Sequence, residues 1–200
     1  MNWRFDILSS RMRCIFTLRS FVHAVAASMV IATLSDKAIA FSIDSVSGVQ
    51  SEQRIEVSVS ATIDLSETVI QALRVNVPIT IATTVRVYRI RNAWWDELVA
   101  DYEFSDQISS RSLYRDFVVD SSDEQIVGNY SSLNDALTAL GKQRMYVLTI
   151  EDSGFSPQFE YRGEVNISLQ HSTLPSVMLI PALFDAGWRL YTPWNEFDIT

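Results

Sequence analysis

Apolar and polar residues alternate strictly in residues 55–65, where every second position from Ile55 to Leu65 is apolar. The same period of two recurs in residues 159–169, with Gly163 as the one interruption. This pattern predicts strands with one buried and one solvated face. Strands that keep one face in water are typical of antiparallel sheets, so we expect an antiparallel architecture.

Residues 77–91 and 97–108 predict a β-hairpin with a defined register. If Arg91 pairs with Asp96 across a four-residue loop, then Arg86 faces Asp101 on the solvated side. On the other side the pairs are Val87 with Ala100, Val85 with Tyr102, and Thr83 with Phe104. Because opposite charges meet on one face while the large apolar residues meet on the other, a single register satisfies both faces.

Two short helices are predicted between the strands. Ser66 is placed to cap residues 67–74, and Ser132 to cap residues 133–140, with Gly141 at the position after the last helical residue. Shorter strands are expected at residues 41–47, 112–119, 124–130 and 145–150. The pattern therefore indicates an α+β fold, mainly an antiparallel sheet or sandwich with two short helices.

The N-terminus has the features of a secretory signal. Four arginines precede the uncharged run from Phe21 to Leu34, and Ala38-Ile39-Ala40 follows it. We expect residues 1–40 to be a signal peptide cleaved after Ala40, and residues 41–200 to form one exported, periplasmic domain. The apolar run has 14 residues, whereas a transmembrane helix needs about 20. An uncleaved anchor is the alternative, and Met12 is a second plausible start besides Met1.

Charge and cysteine content narrow the classes of function. The first 40 residues hold five of the 16 basic and two of the 24 acidic residues, which leaves a formal charge of −11 on residues 41–200. An acidic domain disfavours nucleic acid as a partner. The single cysteine, Cys14, lies in the signal segment, so the expected mature domain has neither disulfides nor cysteine-bound zinc. We expect no cofactor, and the oligomeric state is open.

Trp94 and Trp95 fall in the predicted hairpin loop, directly before Asp96 and Glu97. Large aromatic side chains are usually buried, so we expect at least one of the two rings to fold back over the sheet. The alternative is an exposed aromatic tip that binds a partner.

Catalytic motifs are weak. His171 is the one histidine of residues 41–200, and the chain has no G-x-S-x-G sequence for a serine nucleophile, so we interpret His171 as a strand-end residue. Asp96 with Glu97, or the acids in residues 120–124, supply the residue types of a glycosidase or a calcium loop. Turn formation and solubility explain the acidic segment at residues 120–124 better, and we expect a non-enzymatic protein.

Several segments together resemble the bacterial domain-of-unknown-function 4390 family. They are RVNVPITIATTVRVYR, the tip RNAWWDELVADYEF, SLYRDFVV, SLNDALTALG, and a proline-rich close that contains Trp188-Arg189-Leu190 and Trp194. The resemblance implies an exported protein of Gram-negative bacteria, with genes often near a membrane sensor kinase of the nitrogen-regulation type. It implies no catalytic residues.

Three hypotheses follow. The first is a periplasmic interaction protein that binds an envelope protein, such as a membrane sensor kinase, with contact residues Trp94, Trp95, Arg89, Arg91 and Trp188. In this hypothesis the chain contacts the membrane only through its signal segment, and only if that segment is not cleaved. The second is a carrier that holds a lipid or another apolar ligand in a cavity between sheet and helices. The third is a carboxylate-dependent glycosidase.

Overall fold

The computed structural model describes residues 41–51, 53–111, 113–149, 155–171 and 173–200. Residues 1–40, with the expected cleavage site at Ala38 and Ala40, lie outside them. The strands are β1 (Ser42–Ser51), β2 (Arg54–Thr62), β3 (Ile79–Arg89), β4 (Glu97–Arg111), β5 (Asp116–Ser121), β6 (Gly128–Tyr130), β7 (Arg144–Thr149), β8 (Tyr161–Gln170) and β9 (Asn195–Asp198). The helices are α1 (Glu67–Arg74), α2 (Leu133–Gly141), α3 (Ser176–Phe184) and a 3₁₀ turn at Ala186–Trp188.

The strands form two sheets in which every named pair is antiparallel. The small sheet has the order β1-β2-β7, and the large sheet has the order β6-β5-β4-β3-β8-β9. The apolar faces of both sheets contribute to one core, and the Phe104 ring of the large sheet lies 4.4 Å from the Tyr146 ring of the small one. The predicted α+β class, with a mainly antiparallel sandwich, is confirmed.

The hairpin register is confirmed over most of its length. Arg86 lies opposite Asp101 with their side chains 3.2 Å apart, and the core-facing pairs are those expected from the sequence. Near the turn the register shifts by one residue, because Val99 is an extra residue between Leu98 and Ala100. This bulge puts Arg89 opposite Glu97, so the expected pairing of Arg91 with Asp96 is not formed by the strands.

The C-terminal segment closes one side of the sandwich. β9 pairs with the first half of β8, and residues 190–192 continue along the second half through Leu169 N–H to Leu190 O (2.9 Å) and Thr192 N–H to Ile167 O (2.8 Å). Beyond β9 the chain bridges to β1, where Gln50 N–H donates to Thr200 O (2.9 Å). The free edge of β8 is therefore covered, which removes an unpaired strand edge.

Both predicted helix caps are confirmed, and the role of Gly141 is corrected. The Ser66 hydroxyl accepts from Val69 N–H (3.3 Å), and the Ser132 hydroxyl accepts from Asp135 N–H (3.1 Å). Gly141 is the last residue of α2 rather than the residue after it. It is buried where the helix end meets β2, and an added Cβ would lie 2.1 Å from the carbonyl oxygen of Ala61. Glycine is needed there for close approach.

Substituting Gly141→Ala is expected to lower the free energy of unfolding by about 1–3 kcal/mol, because the new methyl group meets rigid backbone. Gly128→Ala is the matched control, since its Cβ would have only the Tyr130 ring at 3.4 Å or more, and its effect should stay within about 0.5 kcal/mol. Urea unfolding of both variants measures the difference. Equal midpoints would show that α2 does not pack this closely on β2.

Candidate functional site

The tip between β3 and β4 carries the most conspicuous exposed aromatic pair. Trp94 is 73% exposed and Trp95 is 82% exposed. The expectation that at least one ring folds back over the sheet is therefore wrong. The connection spans residues 90–96, which is longer than the four-residue loop expected, and it carries both rings beyond the last strand pair.

Ion pairs fix the base of this tip. The Glu97 carboxylate accepts from the guanidinium groups of both Arg89 and Arg91. The Asp96 carboxylate accepts from Arg162 of the neighbouring strand β8 at 2.8 Å. The hydrogen bond from Arg91, together with the charge of Arg89, holds the pKa of Glu97 below its ordinary value. Ion pairs therefore hold the base of the loop that carries the two tryptophans.

A second set of contacts ties the tip to the segment before β8. Ile90 N–H donates to Glu160 O at 2.9 Å, and the Arg89 guanidinium lies 4.7 Å from the centroid of the Phe159 ring. The Phe159 ring is itself 45% exposed. Arg89 and Arg91 are therefore partly exposed groups that already have partners, and their first role is to hold the tip in place.

Trp188, the fifth candidate contact residue, is a core residue. It is 2% exposed and is among the largest fully buried side chains of the described residues. The Asp185 carboxylate caps its 3₁₀ turn by accepting from Gly187 N–H (2.8 Å), while the Ser66 hydroxyl donates to Gly187 O (2.6 Å). The turn is thereby attached to the start of α1, which turns the indole inward. Trp188 cannot contact a partner while the domain is folded.

The acidic segment at residues 120–124 has a role that its sequence does not reveal. Asp123 accepts from the Arg144 guanidinium at 2.7 Å, and Arg144 also binds Asp106 and the Ser121 hydroxyl. The Ser121 hydroxyl lies 2.6 Å from Asp106. The side chains of Arg144 and Asp106 are each 5% exposed. This buried cluster links the two sheets. Asp123 therefore helps to hold the sheets together, in addition to turn formation and solubility.

Inward-facing charges were a sequence signal for this cluster. Arg144 occupies the same face of β7 as Tyr146 and Leu148, and Asp106 occupies the same face of β4 as Ile108. A charged residue at an apolar position of an alternating strand indicates a buried ion pair, because an unpaired buried charge is costly. In the described part of the chain, no group of three or more histidine, cysteine or acidic side chains is arranged to hold a metal ion.

The geometry gives no support to the glycosidase or to a serine triad. Glu97 and Asp123 are each paired with arginine, and for both the pKa lies below its ordinary value, opposite to what a general acid needs. Burial alone would raise the pKa of Asp123, but hydrogen bonds from Ser121 and from Gln125 N–H, together with the charge and the hydrogen bond of Arg144, outweigh it. His171 Nε2 is buried without a hydrogen-bond partner, so no serine hydroxyl is bonded to that nitrogen.

The cavities also give no support to the carrier hypothesis. The cavity between the two sheets, beside Arg144 and Tyr146, measures about 10 Å³, which is room for one water molecule. Three further depressions of about 280–460 Å³ are lined by mixed polar and apolar residues and open to solvent. Among the described residues, the space between the sheets beside Arg144 is thus too small for a lipid-sized ligand.

Helix α3 is a feature that the sequence patterns did not reveal. Its segment SVMLIPALF contains no charged residue, and prolines stand just before it and within it, at positions 175 and 181. Its buried side faces the core through Ala182, while its exposed large side chains are Val177, Ile180, Leu183 and Phe184. None of the helices that the structure describes combines the length and hydropathy needed to cross a bilayer. An uncharged helix with an uncovered apolar side is unusual in a soluble domain.

Fold and surface together define a compact α+β sandwich with an exposed aromatic hairpin tip. The chain belongs to the domain-of-unknown-function 4390 family (DUF4390), whose model matches residues 38–198. No curated protein and no solved structure matches it. The family resemblance expected from the sequence is confirmed.

Proposed function

We propose that this chain is an exported, non-enzymatic interaction protein that binds a protein of the cell envelope through Trp94 and Trp95. The observation that carries the proposal is the exposure of both indoles on a tip braced by ion pairs. Tryptophan and arginine are the residue types most enriched at the energetic centres of protein interfaces. Two exposed indoles lower the solubility of a domain. A partner that buries them accounts for their exposure at the tip.

The braced support favours binding without a large ordering cost. Arg89 and Arg91 are held by Glu97, and Asp96 is held by Arg162, so the backbone beneath the indoles is fixed before a partner arrives. A surface that is already ordered loses less conformational entropy on association. The signal-like N-terminus supports export to the periplasm, with cleavage after Ala40, and a membrane sensor kinase is one envelope protein that the family resemblance suggests.

In-cell crosslinking of the tagged, exported chain tests the proposal. The double variant Trp94→Ala, Trp95→Ala is expected to lose a partner that the unchanged chain captures, because removing a central interface tryptophan costs 2 kcal/mol or more, roughly a thirtyfold loss of affinity. Mass spectrometry identifies the partner. Circular dichroism and the urea midpoint confirm that the variant folds.

A matched control removes two other exposed apolar side chains, which lie on a strand of the small sheet rather than at the tip. Met145→Ala with Val147→Ala truncates the outer face of β7, where the two residues are 49% and 45% exposed. This control should retain the partner. Equal capture by both double variants would overturn the proposal for the tip, and loss from both would point to a contact that is not specific to the indoles.

A further inference from the structure

We propose that the first half of β4 binds an extended peptide of alternating basic and apolar residues, which adds to the large sheet as a further strand. The binding site is the side of residues 97–104 that faces away from β3, and it is called the open edge below. It begins directly after the tryptophan tip, but it does not depend on the proposed function of Trp94 and Trp95.

β4 is longer than the strand that lies beside it. β3 pairs with residues 97–108 of β4, whereas β5 pairs only with residues 106–111. The chain leaves β4 at the end of β5 because Asp123 turns toward Arg144 of the small sheet and binds it. In the part of the chain that the structure describes, no strand lies beside residues 97–104 on the side away from β3.

The backbone groups of Asp101 and Glu103 face the open edge. Ser105 N–H donates to the Ser122 hydroxyl (2.9 Å), and Ser105 O accepts from Ser122 N–H (2.8 Å), so the backbone of Ser105 faces away from β3. Successive residues of a strand direct their backbone groups to alternate sides, so Asp101 and Glu103 face the same way as Ser105. Backbone groups without a neighbouring strand are a template for an added strand.

The inner face of the open edge is aromatic. The Tyr102 and Phe104 rings have centroids 6.3 Å apart, and the Phe104 ring lies 4.4 Å from the Tyr146 ring of the small sheet. Tyr102 and Phe104 are only partly buried, although they lie on the core-facing side of β4. An added strand places every second side chain beside these two rings, so the peptide needs apolar residues at those positions.

The outer face of the open edge is acidic. The side chains of Asp101 and Glu103 are exposed there. Asp101 lies 3.2 Å from the Arg86 guanidinium, whereas Glu103 accepts a hydrogen bond from the uncharged Gln170 amide. Opposite charges on neighbouring strands stabilise a sheet. Lysine or arginine at the alternate positions of the peptide therefore complements this face.

The same carboxylates disfavour a second copy of this chain at the open edge. If two β4 strands paired antiparallel about Tyr102, Asp101 would lie opposite Glu103 of the second copy. If they paired about either acidic residue, that residue would lie opposite itself. Like charges directly opposite each other destabilise a strand pair. The open edge therefore favours a basic segment over its own copy.

Hydrogen exchange followed by NMR on the full chain tests the proposal. The probe is a short peptide with blocked ends that alternates lysine and valine. In the chain alone, the amides of Asp101 and Glu103 should exchange fast, and those of Tyr102 and Phe104, which face β3, should exchange slowly. Saturating peptide should slow the first pair by about tenfold or more and leave the second pair unchanged.

Charge recognition is tested by a substitution at the open edge. Glu103→Lys should weaken binding of the lysine–valine peptide by about fivefold or more, because an attraction becomes a repulsion. Glu56→Lys is the matched control, since Glu56 is partly exposed on β2, which has a strand on each side. The control should keep the affinity within about twofold. Equal weakening by both substitutions, or equal binding of a peptide that alternates glutamate and valine, would contradict the proposal.

The exchange pattern also separates the open edge from other sites. If the peptide slows amides of β7 instead, the occupied edge belongs to the small sheet and the proposal is wrong. If the amides of Asp101 and Glu103 are already slow without peptide, the edge is covered, by a second copy where dilution speeds the exchange and by another part of the chain where it does not. Either result overturns the proposal.

The double variant Trp94→Ala, Trp95→Ala distinguishes this proposal from the proposed function of the tip. It should bind the lysine–valine peptide as tightly as the unchanged chain, even though it is expected to lose the envelope partner. Loss of the peptide from the double variant would show that the open edge is not a separate site.

Discussion

Replacing Arg144 by methionine is expected to lower the free energy of unfolding by about 3–5 kcal/mol, because it leaves the buried Asp106 and the mostly buried Asp123 without their cation. Arg144 reaches from β7 to Asp106 on β4 and to Asp123 after β5, so it is the link between the two sheets at this point. The loss should be visible as a shift of the urea midpoint without a change in slope.

The control for this prediction is a partly exposed arginine–aspartate pair on the surface of the large sheet. Arg86 and Asp101 lie 3.2 Å apart on the solvated face, with side chains 35% and 44% exposed. Arg86→Met should therefore cost no more than about 1 kcal/mol. The triple change Arg144→Met, Asp106→Asn and Asp123→Asn should recover most of the loss, because no unpaired charge remains buried.

The pH dependence gives an independent check on the same cluster. In the folded chain the pKa of Asp123 is lowered, so its ionised form stabilises the fold fully above the pKa of the unfolded chain, about 3.9. That stability is lost as the pH falls through the lower, folded-state pKa. The penalty of Arg144→Met should hence be largest near neutral pH and shrink in acid. A penalty independent of pH, or one no larger than that of Arg86→Met, would contradict the buried cluster.

The hairpin shows what local patterns are able to predict. The apolar pairs, of which Val85 with Tyr102 is one, and the charged pair Arg86 with Asp101 select the same register, so two independent patterns determine it. The bulge at Val99 was not predictable, because both Val99 and Ala100 pack toward the core there, which breaks the alternation that the pattern assumes.

The exposure of side chains in irregular segments could not be predicted from the sequence. Trp94 and Trp188 are chemically identical, yet one is 73% exposed and the other 2%. What separates them is long-range contact: the arginine–carboxylate pairs at the base of the tip, and the attachment of the 3₁₀ turn to Ser66. Helix α3 was missed for a related reason, since its prolines argue locally against a helix and the 3₁₀ turn that packs against it lies outside the segment.

The substitution Trp188→Ala is expected to lower the free energy of unfolding by about 3–5 kcal/mol, because truncating a fully buried tryptophan removes its contacts and leaves a cavity. Trp94→Ala is the matched control and should change it by no more than about 0.5 kcal/mol, since that ring is mostly in water. Urea unfolding separates the two.

Partner capture then distinguishes a structural from a contact role for each tryptophan. Trp94→Ala should weaken capture while the domain stays folded, whereas Trp188→Ala should weaken capture only as far as it unfolds the domain. Conditions that restore the fold of the Trp188 variant, such as a stabilising osmolyte, should thus restore its capture but not that of the Trp94 variant. A folded Trp188 variant that still fails to bind would mean that the core around α1 and the 3₁₀ turn takes part in recognition after all.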